Sequence, residues 1–447
     1  MAGTLTTVSK IAVGTGGSGI GGSGGRRLLV RGNRVFVARG ETGDNSAFCA
    51  YDVDTATGKL SSLSNGLSAG SWTDSDTSGW TFYAKHCPLL TSWDLMSQPK
   101  TVISTQSVHS SASDHSHFLS IDLSNNNLSS AVINSYFLRA RNRVGHFTCR
   151  PDGLVVSEGQ GFGFNDGRLI TVGNVLTNTV WKDKALANGG YGVYWMHPSQ
   201  PYAYACHELE SPDPGGSGVR GAEVYNFSGT SALTLAAYRL DTTGIGDGAS
   251  LYTNHFHDMV PSTPDPASNV PLQGFPSLQP WPGHPDYLIT FFNRKTPGTT
   301  PEVQAWIGFM NISNPLSITF DAAVLVSGAG SWVANRSGEV LAHTAWSDDD
   351  GTYAFLRVVE NGVERLLKVH VETGIPHDSW SFDPPHYPPN YFSPTSTNRG
   401  LRGEFVTEAG WYGTMYYDEL HTLGRINGAP KKFYYPTHWS SILRAGR

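Results

Sequence analysis

Apolar and polar residues alternate with a period of two along most of this chain, in runs of five to eight residues separated by turn-forming clusters. The clearest unit is residues 191–240, GYGVYWMHPSQPYAYACHELESPDPGGSGVRGAEVYNFSGTSALTLAAYRL with its preceding glycine. It holds one apolar-aromatic run at Tyr191, Val193 and Trp195 and a second from Tyr202 to Cys206, joined by a turn at His197-Pro198-Ser199. Further runs follow at Ala222–Phe227 and Leu233–Tyr238. Four short strands joined by turns describe one antiparallel blade of a propeller.

The same rhythm recurs from Arg26 onward. RLLVRGNRVFVAR reads as a hairpin turning at Gly32-Asn33, and AFCAYDVDTATGKLSSL continues it. Comparable units occupy about residues 79–138, 145–181, 254–326 and 331–372, and a less regular part rich in Tyr and Trp spans 398–447. Units of about 40 to 55 residues fit a propeller repeat. The expectation is an all-β chain: a single β-propeller of about seven blades with four antiparallel strands each, the two chain ends meeting in one blade. Residues 1–25, glycine- and serine-rich, read as an arm that lies on a neighbouring subunit, and 26–447 as the propeller, with long proline-rich loops near 261–285 and 374–397.

Three segments resemble known propellers of two families. YDVDTATGKL and HPSQPYAYA are similar to the outer turn and inner hairpin of lactonase-type seven-bladed propellers, and Ser347–Tyr353, SDDDGTY, resembles the Asp-box turn of sialidase-like propellers. Both resemblances rest on turn chemistry and imply a fold. In the sialidase-like family the Asp box stabilises the fold away from the active site, so Asp348 and Asp350 are read as structural, as is the related run Ser71–Trp80.

Composition narrows the function classes. Charged residues make up 15% of the chain, against about 25% in an average soluble domain. The net charge is −6 with no dense Lys/Arg block, which excludes the electrostatic footprint of a nucleic-acid binder. No apolar run approaches the roughly 18 residues of a membrane span, and no secretory leader is recognisable. Cys49, Cys87, Cys149 and Cys206 have no CxxC spacing and read as buried thiols. The glycines of residues 14–25 follow no strand–helix unit, so a phosphate-binding loop is not expected there.

Candidate chemistry is sparse. On a strand, His255 and His257 of NHFHD would share one face, as two metal ligands or a base aimed at a central channel; without a third ligand no metal and no cofactor is expected. His109, Asp114, His115 and His117 read as a solvated turn entering a strand, while His146, His207 with Glu208, and His343 sit at or beside predicted inner strands. A propeller-fold polysaccharide lyase or hydrolase would need a base and a cation, roles open to His255, His257, His207, Tyr252 and Arg294. Trp380, Tyr387 and Tyr391, set among prolines, are candidates for stacking on sugar faces. The favoured expectation is a binding rather than catalytic propeller: a structural module of a bacteriophage virion (tail, fibre or surface), contacting other virion proteins or its own copies and recognising a host glycan. The alternatives are the carbohydrate-active enzyme and a cytoplasmic location.

Overall fold

A computed structural model of the protein describes residues 2–12, 27–40, 46–63, 67–68, 89–95, 98–108, 114–122, 132–138, 142–149, 154–161, 169–174, 179–185, 191–197, 199–208, 220–226, 228, 234–241, 277–295, 302–327, 332–333, 342–348, 350–360, 363–383, 401–416 and 419–426. Every regular element among them is a strand. The first two are β1 (Ala2–Thr6) and β2 (Ser9–Ala12). The first sheet holds β3 (Arg27–Arg31), β4 (Arg34–Gly40), β5 (Ser46–Val53) and β6 (Leu60–Ser62), with the short β7 (Leu67–Ser68) beside β5. The second holds β8 (Leu89–Leu95), β9 (Gln98–Val108), β10 (Asp114–Asp122) and β11 (Val132–Leu138). The third holds β12 (Asn142–Cys149), β13 (Leu154–Gly161), β14 (Leu169–Asn174) and β15 (Thr179–Ala185). The fourth is the unit read most clearly from sequence: β16 (Tyr191–Met196), β17 (Tyr202–Glu208), β18 (Arg220–Asn226) and β19 (Thr234–Asp241). The fifth has β20 (Ser277–Trp281), β21 (His284–Lys295), β22 (Glu302–Asn311) and β23 (Thr319–Leu325), with β24 (Trp332–Val333) beside β22. The sixth has β25 (Ala342–Ser347), β26 (Tyr353–Glu360), β27 (Val363–His370) and β28 (Pro376–Asp383), and the seventh has β29 (Leu401–Val406), β30 (Trp411–Tyr416) and β31 (Glu419–Arg425).

The sheets touch in chain order. The inner strands β3, β8, β12, β16, β20 and β25 contact one another in succession, β1 of the sixth sheet meets β31 of the seventh, and β29 returns to β3. This closed circuit of four-stranded antiparallel sheets is an all-β propeller.

The sixth and seventh sheets bury both faces, and the period-two alternation divides their side chains between neighbours. In the sixth sheet Ala354, Leu356, Val358, Leu367 and Val369 join Trp281, Ile289, Ile307 and Phe309 of the fifth. The intervening residues Phe355, Leu366 and Phe382 point the other way and join Val406, Tyr412 and Leu423 of the seventh. Phe405, one residue from Val406, turns to Val35, Val37, Tyr51 and Leu60 of the first sheet.

The segment 1–25 differs from the sequence expectation. β2 pairs antiparallel with β31, from Ser9↔Thr422 to Ala12↔Glu419, and supplies the fourth strand of the seventh sheet. β1 pairs parallel with β28, from Ala2↔Ser379 to Thr6↔Asp383, as a fifth strand of the sixth sheet. Residues 2–12 therefore lie on this chain's own sheets, with Leu5 2% exposed in the core between sheets six and seven. The ends of the described chain meet in one sheet, as expected. The proline-rich loops are also shorter than read, since β20 occupies 277–281 and β28 occupies 376–383. Within PHDSWSFD, Asp378, Trp380 and Phe382 alternate at strand period, and that signal prevails over the neighbouring prolines.

Glycines hold two kinds of turn. Gly374 has φ of 66° and an added Cβ would collide with the Leu325 carbonyl of the preceding sheet, whereas at Gly283, φ 82°, it would meet Asp350 O at 3.6 Å, an ordinary contact. The Gly283→Ala variant should lose only the left-handed backbone penalty, about 1 to 2 kcal/mol. Gly374→Ala must also displace backbone and should lose at least about 3 kcal/mol. Urea unfolding of the two variants checks the order; equal losses would remove the close approach of sheets five and six as a constraint.

Candidate functional site

Three turns show how polar side chains are used. At Asp54 the carboxylate accepts from the N–H of Ala56 (3.1 Å) and Thr57 (2.7 Å), while Gly58 N donates to Asp54 O at 2.8 Å and Asp54 N to Lys59 O at 2.9 Å. The backbone pattern repeats at His370–Ile375, where Gly374 N donates to His370 O at 2.8 Å and His370 N to Ile375 O at 2.9 Å. The third is Ser347–Tyr353: Tyr353 N donates to Asp348 Oδ1 at 3.0 Å, Thr352 N to Asp350 Oδ1 at 3.0 Å, and Asp348 N to Tyr353 O at 2.8 Å. His197 does the same work with a ring nitrogen, Nδ1 accepting from Gln200 N at 2.9 Å and Ser199 N at 3.2 Å. These side chains cap turns.

Two tryptophans tie such turns to the preceding sheet. Trp281 Nε1 donates to Gly351 O at 2.9 Å, from the fifth sheet to the sixth. Trp411 Nε1 donates to Thr55 O at 3.0 Å, from the seventh to the first, and its ring lies 2.7 Å from where a Gly58 Cβ would stand. Arg425 also donates to Thr55 O and covers the Trp411 ring at 4.9 Å. The sequence reading singled out neither tryptophan; their common signal is a Trp at a hairpin end facing a glycine turn one unit on.

The densest titratable group among the described residues lies on the sixth sheet. Lys368 is 8% exposed and its ammonium sits 4.3 Å from the Tyr353 ring centroid. The Tyr353 ring has His370 at 4.7 Å and His377 at 4.9 Å. His377 Nδ1 is 2.9 Å from Asp378 Oδ2, and Asp378 stands opposite Lys368 in the ladder. Burial pushes the Asp348 carboxyl up to about 6, with the negative charge of Asp350 adding to the shift and the Tyr353 N–H and Lys368 opposing it. On the seventh sheet, burial lowers the His421 imidazole, partly offset by Glu419, whose Oε2 is 3.1 Å from His421 Nε2. Among the described residues no three His, Cys, Asp or Glu are placed to hold a metal ion.

The predicted candidates fall in different places. His207 is on β17 opposite Gly192 and Gly221, and Arg294 is on β21 opposite Gln304. His146, His343, Asp114, His115 and His117 are also strand positions, on β12, β25 and β10, and Glu208 ends β17. Tyr252, His255, His257, Tyr387 and Tyr391 lie outside the described residues, as does His109. Residues 242–276 link β19 of the fourth sheet to β20 of the fifth. Antiparallel order puts the end of β17 at the same end of its sheet as the end of β19, with β18 between them, and the end of β21 beside the start of β20. His207 and Arg294 thus stand at the sheet ends where that linking segment attaches. Trp380 belongs to β28: its ring is stacked on Phe355 at 6.5 Å, packs against the core between sheets six and seven, and abuts Gly3 of β1.

No family model and no curated protein matches the chain. Its solved structural neighbours are propellers at low identity. The chain is similar to the WD40 domain of Toxoplasma gondii coronin, at 8% identity over 95% of this chain and 86% of that one with a TM-score of 0.47. It is similar to the β-propeller domain of the Trilobed protease from Pyrococcus furiosus, at 9% identity over 94% and 98% with a TM-score of 0.43. It is also similar to a periplasmic gluconolactonase of Pseudomonas aeruginosa, at 12% identity over 78% and 81% with a TM-score of 0.42. The class is set by the circuit of sheets, and these neighbours add no activity to it.

Asp348 gives a pH test. Its folded pKa lies above the unfolded 3.8, so the folded state holds the extra proton between pH 3.8 and about 6 and loses that stabilisation as pH rises through this window. Asp348→Asn keeps an acceptor for Tyr353 N and cannot ionise. The melting temperature of the variant minus that of the parent should increase from pH 4 to pH 7. Taking the difference removes His421, whose contribution runs the opposite way. A flat difference would show that Asp348 ionises freely.

Proposed function

We propose that this chain is a binding and assembly propeller of a bacteriophage virion, contacting other virion proteins or copies of itself and recognising a host surface glycan. The observation that carries the reading is a rigid circuit of interlocked sheets from which long connections emerge. Residues 69–88, 242–276 and 384–400 link consecutive sheets at ends that shorter segments link elsewhere. Long connections on a rigid scaffold are where binding surfaces concentrate. The low charge and the Gly, Ser, Thr and Asn content accord with a particle component, and the net charge of −6 favours a neutral or cationic glycan over an anionic one. Since Trp380 is engaged in packing, the glycan contact falls to Tyr387 and Tyr391, in PPHYPPNY directly after β28.

A second reading, a polysaccharide lyase or hydrolase, is favoured by one placement: His207 and Arg294 flank the attachment points of the segment carrying Tyr252, His255 and His257. In that reading His255 or His257 is the base and Arg294 the cation.

A glycan panel separates the two. Binding without new unsaturated or reducing ends is expected, and the double variant Tyr387→Ala/Tyr391→Ala should weaken it about tenfold, since an aromatic stacking contact contributes roughly 0.5 to 1.5 kcal/mol. Product release that disappears in His255→Ala would replace the binding reading by the enzymatic one. Neither binding nor release across a broad panel would sink both.

A further inference from the structure

We propose that residues 2–12 are an exchangeable clasp through which two copies of this chain join, each lending its β1 and β2 to the sixth and seventh sheets of the other. The inference rests on the assembly reading above and names one partner within it. Every contact the clasp makes can be reproduced on a second copy, because it consists of two strand pairings and a few anchors. Leu5 enters the core between sheets six and seven, Ile11 packs on the core between sheets seven and one, and Ser9 Oγ accepts from Leu60 N at 3.1 Å. Val8 N donates to Thr422 O at 2.8 Å, and Lys10 pairs with Glu419 at 3.3 Å.

The tether points to exchange. Residues 13–26 join β2, the outer strand of one sheet, to β3, the inner strand of the next. The same step is made by three residues, 139–141, between β11 and β12, and by five, 186–190, between β15 and β16, while 384–400, 69–88 and 242–276 span it with 17, 20 and 35. Here it takes fourteen, eight of them glycine and none proline. Fourteen residues reach up to roughly 46 Å. Crossing a sheet from outer to inner strand needs about 15 Å, three strand spacings. The tether therefore exceeds what crossing one sheet demands, which leaves length for a second copy to take up.

Because both closures use the same contacts, effective concentration decides between them. A short Gly-rich tether presents its strand to its own sheets at an effective concentration on the order of mM. The single chain therefore closes on itself when dilute, and exchange takes over where copies are crowded to comparable concentration, as in a particle.

Thr4 and Ser381 are exposed register partners with Oγ atoms 3.3 Å apart, which makes them a cross-linking pair. A Thr4→Cys chain and a Ser381→Cys chain of different tag size are mixed, held at about 10 µM or near mM, and oxidised, with each single variant alone as control. The mixed disulfide should rise from a trace to a major fraction between the two concentrations. Deleting residues 14–25 leaves two tether residues, fewer than the three of the shortest equivalent link, and should give dimers by light scattering at about 10 µM. If the deletion fails to fold, the mixing experiment decides alone. No mixed disulfide near mM, with the Thr4→Cys/Ser381→Cys double variant closing within one chain, overturns the exchange. Oligomers that form without the mixed disulfide overturn it too and leave the assembly reading standing, which its own glycan assay tests separately.

Discussion

The fold depends on one strand pairing, β2 with β31. A circuit of sheets has no free end only if its last sheet is complete, and residues 401–425 supply three strands of the seventh sheet. The fourth comes from Ser9–Ala12, some four hundred residues away in sequence. That closure carries the loop entropy of nearly the whole chain, a cost that grows only logarithmically with length. It is offset by burial on both sides, with Leu5 between sheets six and seven and Ile11 toward the first sheet. The Gly32-Asn33 hairpin adds direct bonds across the junction: Glu408 N donates to Gly32 O at 2.8 Å and Ala409 N to Asn33 Oδ1 at 3.0 Å.

Sheets five and six, and sheets seven and one, are joined by contacts of one type. A turn glycine in left-handed conformation lets the preceding sheet approach, and a tryptophan N–H bonds the turn backbone, as with Trp281 at Gly351 and Trp411 at Thr55 beside Gly58. The Asp54, Asp348 and Asp350 carboxylates of these turns accept from backbone amides. Lys368 is an economical exception: its ammonium, nearly buried, lies on the faces of Tyr353 and Phe355 instead of in water. The candidates Tyr252, His255, His257, Tyr387 and Tyr391 belong to the segments joining the sheets, outside the described residues.

Local patterning made much of the architecture legible. The alternation in residues 191–240 gives β16 to β19 in order, and the Gly-Asn turn gives β3 and β4. The Asp-box-like run is a turn, as its sequence implies, because Asp348 and Asp350 have the amides of Tyr353 and Thr352 nearby. The strands of residues 2–12 were not legible, since composition dominated the reading and the partners β28 and β31 are too distant for any window to include. Trp380, set among prolines, also alternates with Asp378 and Phe382, which assigns it to β28 beside β1. Of the proposed catalytic set, sequence could not show that His207 and Arg294 share a sheet end with one linking segment, a fact of topology alone.

Amide hydrogen exchange on the full chain and on a chain lacking residues 2–12 tests the closure most directly, at a concentration low enough to keep copies apart. The account predicts that removal strips protection first from β28 and β31, whose edges it exposes, and lowers the cooperative unfolding free energy of the whole circuit. Unchanged protection in both strands, with an unchanged unfolding midpoint, would contradict it.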